Sequence, residues 1–537
     1  MVKCKSSKAY EEGLGGAIMQ KKVYMCLMTA GMVTVLTSCE NNLTGKHKTE
    51  EKEEISVEAS IKGNPVTGFD AAGNRIYGGD PAALVDGDTV YLYTGHDTST
   101  GDSYVIPEWM CYSSNDMENW KYEGTILSCK DISWADKNSA WAGQTIKHYN
   151  FSEGKDMYYF YFCSWDSTSE GKQSIGVAVS DNPVSGFTDI GHPLVRGTDT
   201  PNESSTWNDI DPTVWIEADE QGEEHRYLCW GNGKNYICEL NNDMISVKDL
   251  DGDGKITFGT DILEKEVPEE YTEAPWIYRR QDEQGNYYGD YYLFYAYGWR
   301  EQMAYATTDD LLYGEWKFGG VIMQPTATSN TNHMAVIDFK GKTYFIYHNG
   351  SLDGGSGYRR AVSVQELNIR ENGIVDALQE NAAGLNAKYT MIKNKDGQML
   401  SHAMFVNSSL DSNYPYVNLP LGMDLSSQES DQRWIIRPGK SDSSKKSYVS
   451  IESYNKPGLY ITAVNKLLKL SQNFNGTMTD AQTFKTVKGL AGEGVSFESI
   501  SAPGMYITYA SGKVLKLTDG SEADKCTFYL EAETKEE

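Results

Sequence analysis

The chain has 537 residues, enough for two or three domains and a large core. Its formal net charge of -28 argues against a nucleic-acid partner, which needs clustered Lys and Arg, and against docking of the folded part onto anionic lipid. Tyrosine (36) and tryptophan (12) are abundant and Ala-Leu-Lys-Glu helical stretches are scarce, so the composition points to an all-β protein.

In chain order, the first signal is MQKKVYMCLMTAGMVTVLTSC, from Met19 to Cys39. Two lysines (Lys21, Lys22), an apolar run from Val23 to Leu36 and small residues after it describe an export signal over residues 1–39. Residues 1–18 fit no signal, so translation starting at Met19 is an option. The apolar run falls short of the ~18 residues a membrane-spanning helix needs. Leu36-Thr37-Ser38-Cys39 resembles a bacterial lipobox. That resemblance implies an exported protein lipidated at Cys39, held in the periplasm or on the cell surface of a bacterium, with the lipid as its only membrane contact. Residues 40–63, rich in Lys and Glu, read as a flexible tether. The six cysteines after Cys39 show no metal spacing; Cys163, Cys229 and Cys238 sit inside apolar strands, where buried free thiols are expected.

Residues 64–380 contain five segments on one plan. Each has a polar residue ahead of an apolar strand, then a turn, an aromatic strand, and a strand of small residues ending in a polar turn. The openers are Asp80, Gln144, Asp211, Glu273 and His333, spaced by 64, 67, 62 and 60 positions. Alternating apolar strands with Asp-Gly and Gly-Lys turns predict antiparallel sheets, and five four-stranded repeats predict a five-bladed β-propeller. The innermost strands of a propeller line its axis, so equivalent openers converge on one ring. Three of them are acids. Asp209, in NDIDP, reads as a turn or cap residue, and His96 and Asp97 (YTGHD) are candidates for the rim. DLDGDGKIT (Asp249 to Thr257) has partial calcium-loop spacing, but Thr260 stands where a bidentate Glu is needed, so it reads as a polar hairpin insertion with weak calcium binding as an option.

After Asn381 the pattern changes. VSIESYNKPGLYI (Val449 to Ile461) recurs as VSFESISAPGMYI (Val495 to Ile507), each followed by Leu-Lys-Leu and Thr-Phe. With a more divergent copy over 388–439, three repeats over 385–537 predict a β-trefoil.

Carboxylates paired across a pocket are the equipment for glycosidic bond hydrolysis: one protonated, to donate to the leaving oxygen, and one ionised, to activate water. The ordered motifs GGDPAALV, AWAGQ, NDIDPTVW, TEAPWIY, TNHMAV and GYRRAV resemble glycoside hydrolase family 43. The resemblance implies an inverting single displacement, with Asp80 as general base, Asp211 as pKa modulator and orienter, and Glu273 as general acid. It also implies a place near the axis for His333, often linked to a central calcium ion, and a terminal-sugar contact for Arg360 or its neighbour Arg359. Gln144 joins the substrate-binding candidates as a ring opener, and Trp141, Trp165 and Trp299 either stack on sugar faces or fill core. The C-terminal repeats resemble the arabinofuranosidase B-type trefoil, carbohydrate-binding module family 42. Where that family follows Tyr-Ile with Arg-His, this chain has Thr462-Ala463 and Thr508-Tyr509.

Together these readings predict an exo-acting α-L-arabinofuranosidase working as a monomer on arabinan or arabinoxylan, with no organic cofactor. The alternatives are a β-xylosidase or β-galactan-cleaving enzyme with the same acids, and a non-catalytic glycan-binding surface lipoprotein.

Overall fold

The computed structural model describes residues 52–168, 172–201, 206–219, 221–282, 284–403, 419–509 and 514–533. The export signal, the lipobox and Cys39 lie outside the described residues.

Four antiparallel four-stranded meanders come first. They are β1 (Gly78–Asp86), β2 (Thr89–His96), β3 (Glu108–Ser114) and β4 (Lys121–Ser128); β5 (Gly143–Asn150), β6 (Lys155–Asp166), β7 (Lys172–Ser180) and β8 (Thr188–Asp189); β9 (Thr213–Ala218), β10 (Glu224–Trp230), β11 (Asn235–Glu239) and β12 (Ile262–Lys265); and β13 (Tyr271–Gln281), β14 (Tyr287–Tyr297), β15 (Gln302–Thr308) and β16 (Lys317–Met323). A fifth sheet holds β17 (Met334–Phe339), β18 (Lys342–Asn349) and β19 (Ala361–Glu366). The first strands touch in a closed circuit: β1 with β5, β5 with β9, β9 with β13, β13 with β17, and β17 with β1. This is the five-bladed propeller, with the ring of openers at its axis.

The fifth blade departs from the four-strand plan. Its outer place is taken by the start of the domain: Val66 N–H donates to Val362 O at 2.7 Å, and Val364 N–H donates to Asn64 Oδ1 at 2.9 Å. Those bonds, one backbone to backbone and one through the Asn64 side chain, close the ring with residues from its two ends. The hairpin between β17 and β18 turns through Lys340 (φ 50°) and Gly341 (φ 76°), the two left-handed residues that match the twist of the flanking strands. Aromatic rings fill the wedges between blades. Trp109 meets Phe160 and Phe162 at centroid distances of 5.4 and 4.8 Å, and such pairs add about 0.5–1.5 kcal/mol beyond area burial. The six cysteines among the described residues are buried and unbridged.

The C-terminal part is a β-trefoil. Thr390–Lys393 pairs with Tyr529–Ala532, joining its first and last strands. The repeated sequence gives repeated structure. VSIES and VSFES fall in Tyr448–Ser453 and Val495–Ser499, and the Leu-Lys-Leu segments fall in Leu467–Gln472 and Leu515–Thr518. In each copy the same glutamate, Glu452 or Glu498, accepts from the Pro-Gly glycine N–H, Gly458 or Gly504, at 2.8 Å. Trp434, Ile451, Phe484, Phe497 and Phe528 fill the core.

The expectation of a flexible tether over 40–63 fails for its described part. Ile55, Val57 and Ala59 pack on the trefoil core, Ile55 N–H donates to Thr486 O at 3.1 Å, and Ser60 N–H donates to Ile436 O at 2.8 Å. The cause is a period-two apolar pattern hidden among charges, which turns Ile55, Val57 and Ala59 to one side of the segment, onto the trefoil.

Candidate active site

The acids owe their aim to backbone irregularities at the blade entrances. Asp80 (φ 54°) and Asp211 (φ 60°) are left-handed, and each precedes a proline, Pro81 or Pro212. Asp tolerates this region better than most residues, and the remaining cost of about 1–3 kcal/mol per site is borne by the surrounding sheet. In the fourth blade the left-handed residue before proline is Ala274 (φ 57°). Ala274 is therefore the backbone equivalent of Asp80 and Asp211, and Glu273 stands one residue ahead of it. Pairing shifts between Gly79 and Ala82 in β1, and between Glu273 and Trp276 in β13. Such bulges re-aim side chains toward a site.

Asp80 is gripped by Arg360. Arg360 Nη1 donates to Asp80 Oδ1, while its Nε and Nη2 donate to Asp97 at 2.9 and 3.0 Å and its backbone N–H donates to Asp97 Oδ2 at 2.8 Å. The Tyr104 ring covers the guanidinium at 5.0 Å. Burial, the largest single influence, would raise the Asp80 carboxyl, but the Arg360 charge and hydrogen bond, with His348 and His333 beside them, together outweigh it and hold Asp80 down at about 2. Gly79 is required here, because a Cβ would stand 2.2 Å from Arg360 Nε. Behind Asp80, its backbone N–H donates to His348 Nδ1 at 3.1 Å, and His348 Nε2 donates to Thr331 O at 3.0 Å. That bonding pattern assigns the His348 tautomer, and burial keeps the ring neutral by pushing its pKa down to about 3.

Glu273 has the opposite environment. Burial pushes its carboxyl up to about 7; Asn232 Nδ2, donating to Oε2 at 2.6 Å, opposes this, and the negative charge of Asp80 adds to it. Asp211 is also held above the usual carboxylate range, by burial first and then by Glu273 and Asp80. Its Oδ2 accepts from Ala274 N–H at 3.0 Å. A fourth acid, Glu301, lies in the turn between β14 and β15 and is 1 % exposed. Its Oε2 accepts from Asn332 N–H at 2.6 Å.

The remaining candidates divide. His333 Nδ1 faces Asp80 Oδ1 at 4.0 Å and Asp211 Oδ2 at 3.9 Å, and burial pushes the ring down to about 4, leaving it neutral. Arg360, not Arg359, reaches the acids; Arg359 donates to Gly354 O and Ser99 O and fastens two loops. Gln144 departs from its expected sugar contact: its Oε1 accepts from Val214 N–H at 2.8 Å and its Nε2 donates to Val214 O at 3.3 Å, so the amide joins β5 to β9. Trp141 packs among the first, second and third blades, its ring edge toward Tyr104 at 6.3 Å. Trp165, one residue before the end of β6, is partly exposed, and Trp299 is 63 % exposed after β14. Asp97 is the anchor of Arg360, whereas His96 pairs with Glu108 at 2.9 Å. Asp209 is more than a turn residue: buried, it accepts from Thr200 Oγ1 and Trp230 Nε1.

A calcium ion takes about six to eight oxygen ligands. Around His333 the protein offers a nitrogen and two acids, one oxygen of which is already held by Arg360. These residues do not form a calcium shell. Among the described residues, the group of three or more metal-ligating side chains is Asp249, Asp251 and Asp253, in the insertion after β11.

The sequence matches glycosyl hydrolases family 43 over residues 75–375 and the α-L-arabinofuranosidase B domain over residues 419–529. A xylosidase/arabinosidase of Bacteroides ovatus is 28% identical over 345 residues, 56% of this chain and 95% of that protein. Xylosidase/arabinosidase 43A of Humicola insolens is 28% identical over 343 residues, 56% of this chain and 96% of its own. Among solved structures, a family 43 β-xylosidase/α-arabinofuranosidase from a compost microbial metagenome is 26% identical with a TM-score of 0.46, covering 56% of this chain and 94% of that one. With the family match spanning more than half its length, and the acids on the ring of a five-bladed propeller, the chain belongs to glycosyl hydrolases family 43.

Proposed function

We propose that this inverting glycosidase is exo-acting and removes terminal α-L-arabinofuranosyl groups from arabinan, arabinoxylan or a related plant polysaccharide. One observation carries the assignment of roles: two carboxyls of one site are driven apart, Asp80 down to about 2 and Glu273 up to about 7. Such a pair supplies an ionised base and a protonated acid at once. Asp80 takes a proton from water as the water oxygen bonds to the anomeric carbon. Glu273 gives its proton to the leaving oxygen as that bond breaks. Net transfer of one proton from Asp80 to Glu273 through solvent resets the site. Asp211 orients the residue beside Glu273 through Ala274 N–H. Arg360 and exposed Trp299 are assigned to the sugar. No step runs through calcium.

The choice of sugar is supported by the arabinofuranosidase B domain match and by relatives named for arabinosidase activity. The same relatives are named for xylosidase activity, which favours a terminal β-xylosyl group as the second reading. A non-catalytic glycan binder would need no acid at each of these positions, yet all three are present. The protein is further proposed to be an exported monomer, lipid-anchored at Cys39. Labelling with a radioactive fatty acid that persists in Cys39→Ala sinks the anchor.

The test is hydrolysis of 4-nitrophenyl α-L-arabinofuranoside, β-xyloside and β-galactoside, and of the matching disaccharides, with the product anomer read by NMR. Cleavage of none of them, or Glu273→Ala cleaving the disaccharides as well as wild type, overturns the reading.

A further inference from the structure

Asn232 belongs to none of the motifs that define the site; it stands in the short loop between β10 and β11, in WGNGKNY. Its Nδ2 donates to Glu273 Oε2 at 2.6 Å. The backbone around it is tied to two blade entrances. Gly231 N–H donates to Ile210 O at 2.8 Å, Asn232 N–H to Asn208 O at 2.9 Å, and Gly233 N–H to Thr272 O at 2.7 Å. Ile210 directly precedes Asp211, and Thr272 directly precedes Glu273. Two side chains bond the loop in return: Asn208 Nδ2 donates to Asn232 O at 2.9 Å, and the Tyr271 hydroxyl donates to Gly231 O at 2.8 Å. Gly231 has φ 136°, and a Cβ there would run into Lys234 O. These bonds fasten the loop without help from the Asn232 side chain, so its amide is presented to Glu273 already in place. A neutral carboxyl has one hydroxyl and one carbonyl oxygen, and a donated N–H belongs on the carbonyl.

We propose that Asn232 is a positioning residue for the reaction: its amide donor makes Oε2 the carbonyl oxygen of Glu273 and leaves Oε1 to carry the proton that is transferred. The inference rests on Glu273 being the general acid. As Oε1 passes its proton to the leaving oxygen and the glycosidic bond breaks, negative charge spreads over both carboxyl oxygens. The Asn232 bond to Oε2 then becomes charge-assisted and strengthens. A fixed donor that gains strength in the transition state, and not before, lowers the barrier. Asn232 itself neither gains nor loses a proton over the cycle. The charged and titratable groups facing Glu273 are Asp80, Asp211, Glu301 and Arg360, with the Cys163 thiol and the Tyr104 and Tyr271 hydroxyls behind. Substitution at Asn232 leaves all of these in the protein, so a change at Glu273 reports the lost donor. Burial is what raises the Glu273 carboxyl, and the Asn232 bond is the largest influence opposing it, in keeping with a donor that favours the ionised form.

The test compares Asn232→Ala, which removes the donor, with Asn232→Asp, which keeps the shape but puts an acceptor where the donor was. The readouts are kcat and KM on a 4-nitrophenyl pentoside and on the corresponding pentobiose, and the pH profile of kcat/KM. An aryl leaving group departs without a proton; a sugar hydroxyl does not. Asn232→Ala is expected to lower kcat on the pentobiose about 10-fold with KM near the wild-type value, and kcat on the aryl glycoside by less than about threefold. Its alkaline limb should move up, because the lost donor favoured ionised Glu273. Asn232→Asp should lose at least as much on the pentobiose and raise the limb further, since a second carboxyl opposes the forming charge. Asn232→Asp with the wild-type activity ratio and limb overturns the proposal, because the side chain would then serve by shape alone. So does Asn232→Ala with an equal loss on both substrates, or a loss confined to KM, and an unmoved limb. If Asn232→Ala does not fold, the Asn232→Asp ratio and profile decide. Glu273→Gln separates the two levels: if it spares pentobiose as it spares the aryl glycoside, the general-acid reading falls, whereas if it loses only pentobiose activity, failure at Asn232 concerns Asn232 alone.

Discussion

Ala274 N–H donates to Asp211 Oδ2 at 3.0 Å, so the carboxylate of the third blade holds the left-handed residue that follows Glu273 in the fourth. Asp211 therefore sets where Glu273 points. Asp211→Asn keeps an oxygen for that N–H, whereas Asp211→Ala leaves a buried donor without a partner, at about 1–3 kcal/mol. Alanine is expected to lower kcat/KM by roughly a further 10-fold or more beyond asparagine, with a lower melting temperature. Equal kinetics and stability for the two variants would show that the bond does not orient the acid.

The two carboxyl environments fix the pH response. The base must be ionised, so activity falls as pH drops through about 2, the value to which Arg360, with the neighbouring histidines, holds Asp80 against burial. The acid must be protonated, so activity falls as pH rises through about 7 at Glu273. The kcat/KM profile on a disaccharide should be flat between roughly pH 3 and 6 and show its alkaline limb near neutrality. Asp80 also has a stability consequence. Its folded pKa is depressed, so its contribution is fully present above the unfolded value of about 4 and is lost as pH falls through about 2. An acid limb near pH 5 in a protein still folded there would contradict the Asp80–Arg360 pairing.

Arg360 is buried between Asp80 and Asp97, and Gly79 gives it room. Arg360→Ala leaves two carboxylates without their cation, a loss of about 3–5 kcal/mol for a broken buried pair. With the charge gone, Asp80 rises and the acid limb moves up. Gly79→Ala is expected to reach the same result from the other side by displacing the guanidinium. Activity and acid limb unchanged in Gly79→Ala would mean that Arg360 is not held where the ion pair requires.

Most of the fold, and the ring positions of Asp80 and Asp211, were legible in the sequence because a propeller writes its ring into a repeat; Glu273, one residue ahead of the ring position that Ala274 holds, is legible from the TEAPWIY motif. Residues that build the site out of register were not. Asn232, Glu301 and His348 come from loops and strand ends with no repeat position, and isolated polar residues there look like surface. Gln144 illustrates the converse: an opener in register with the acids, whose amide bonds Val214 twice. Gln144→Leu should lower the melting temperature while leaving KM near the wild-type value. A raised KM with unchanged stability would restore its sugar-binding role.

The trefoil is tied to the loop that delivers Arg360, a dependence between domains that neither repeat pattern records. Gln472 Nε2 donates to Gly350 O and, at 3.1 Å, to Gly355 O. Gly354 N–H donates to Asn473 O at 2.9 Å, and Lys440 pairs with Asp353. Contact is close enough that a Cβ on Gly458 would stand 2.5 Å from Ser351 Cα. A few residues on, Arg359 fastens the same loop through Gly354 O before Arg360 enters the site. Gln472→Leu leaves two buried carbonyls without a donor, each about 1–3 kcal/mol. Because that loop places the arginine, kcat/KM should fall with the melting temperature, on small substrates that are too short to reach the trefoil as well as on polysaccharide. A variant that loses stability but keeps full activity on a 4-nitrophenyl pentoside would mean that the Asp97 pairing alone positions Arg360, and that the trefoil docks without influence on the site.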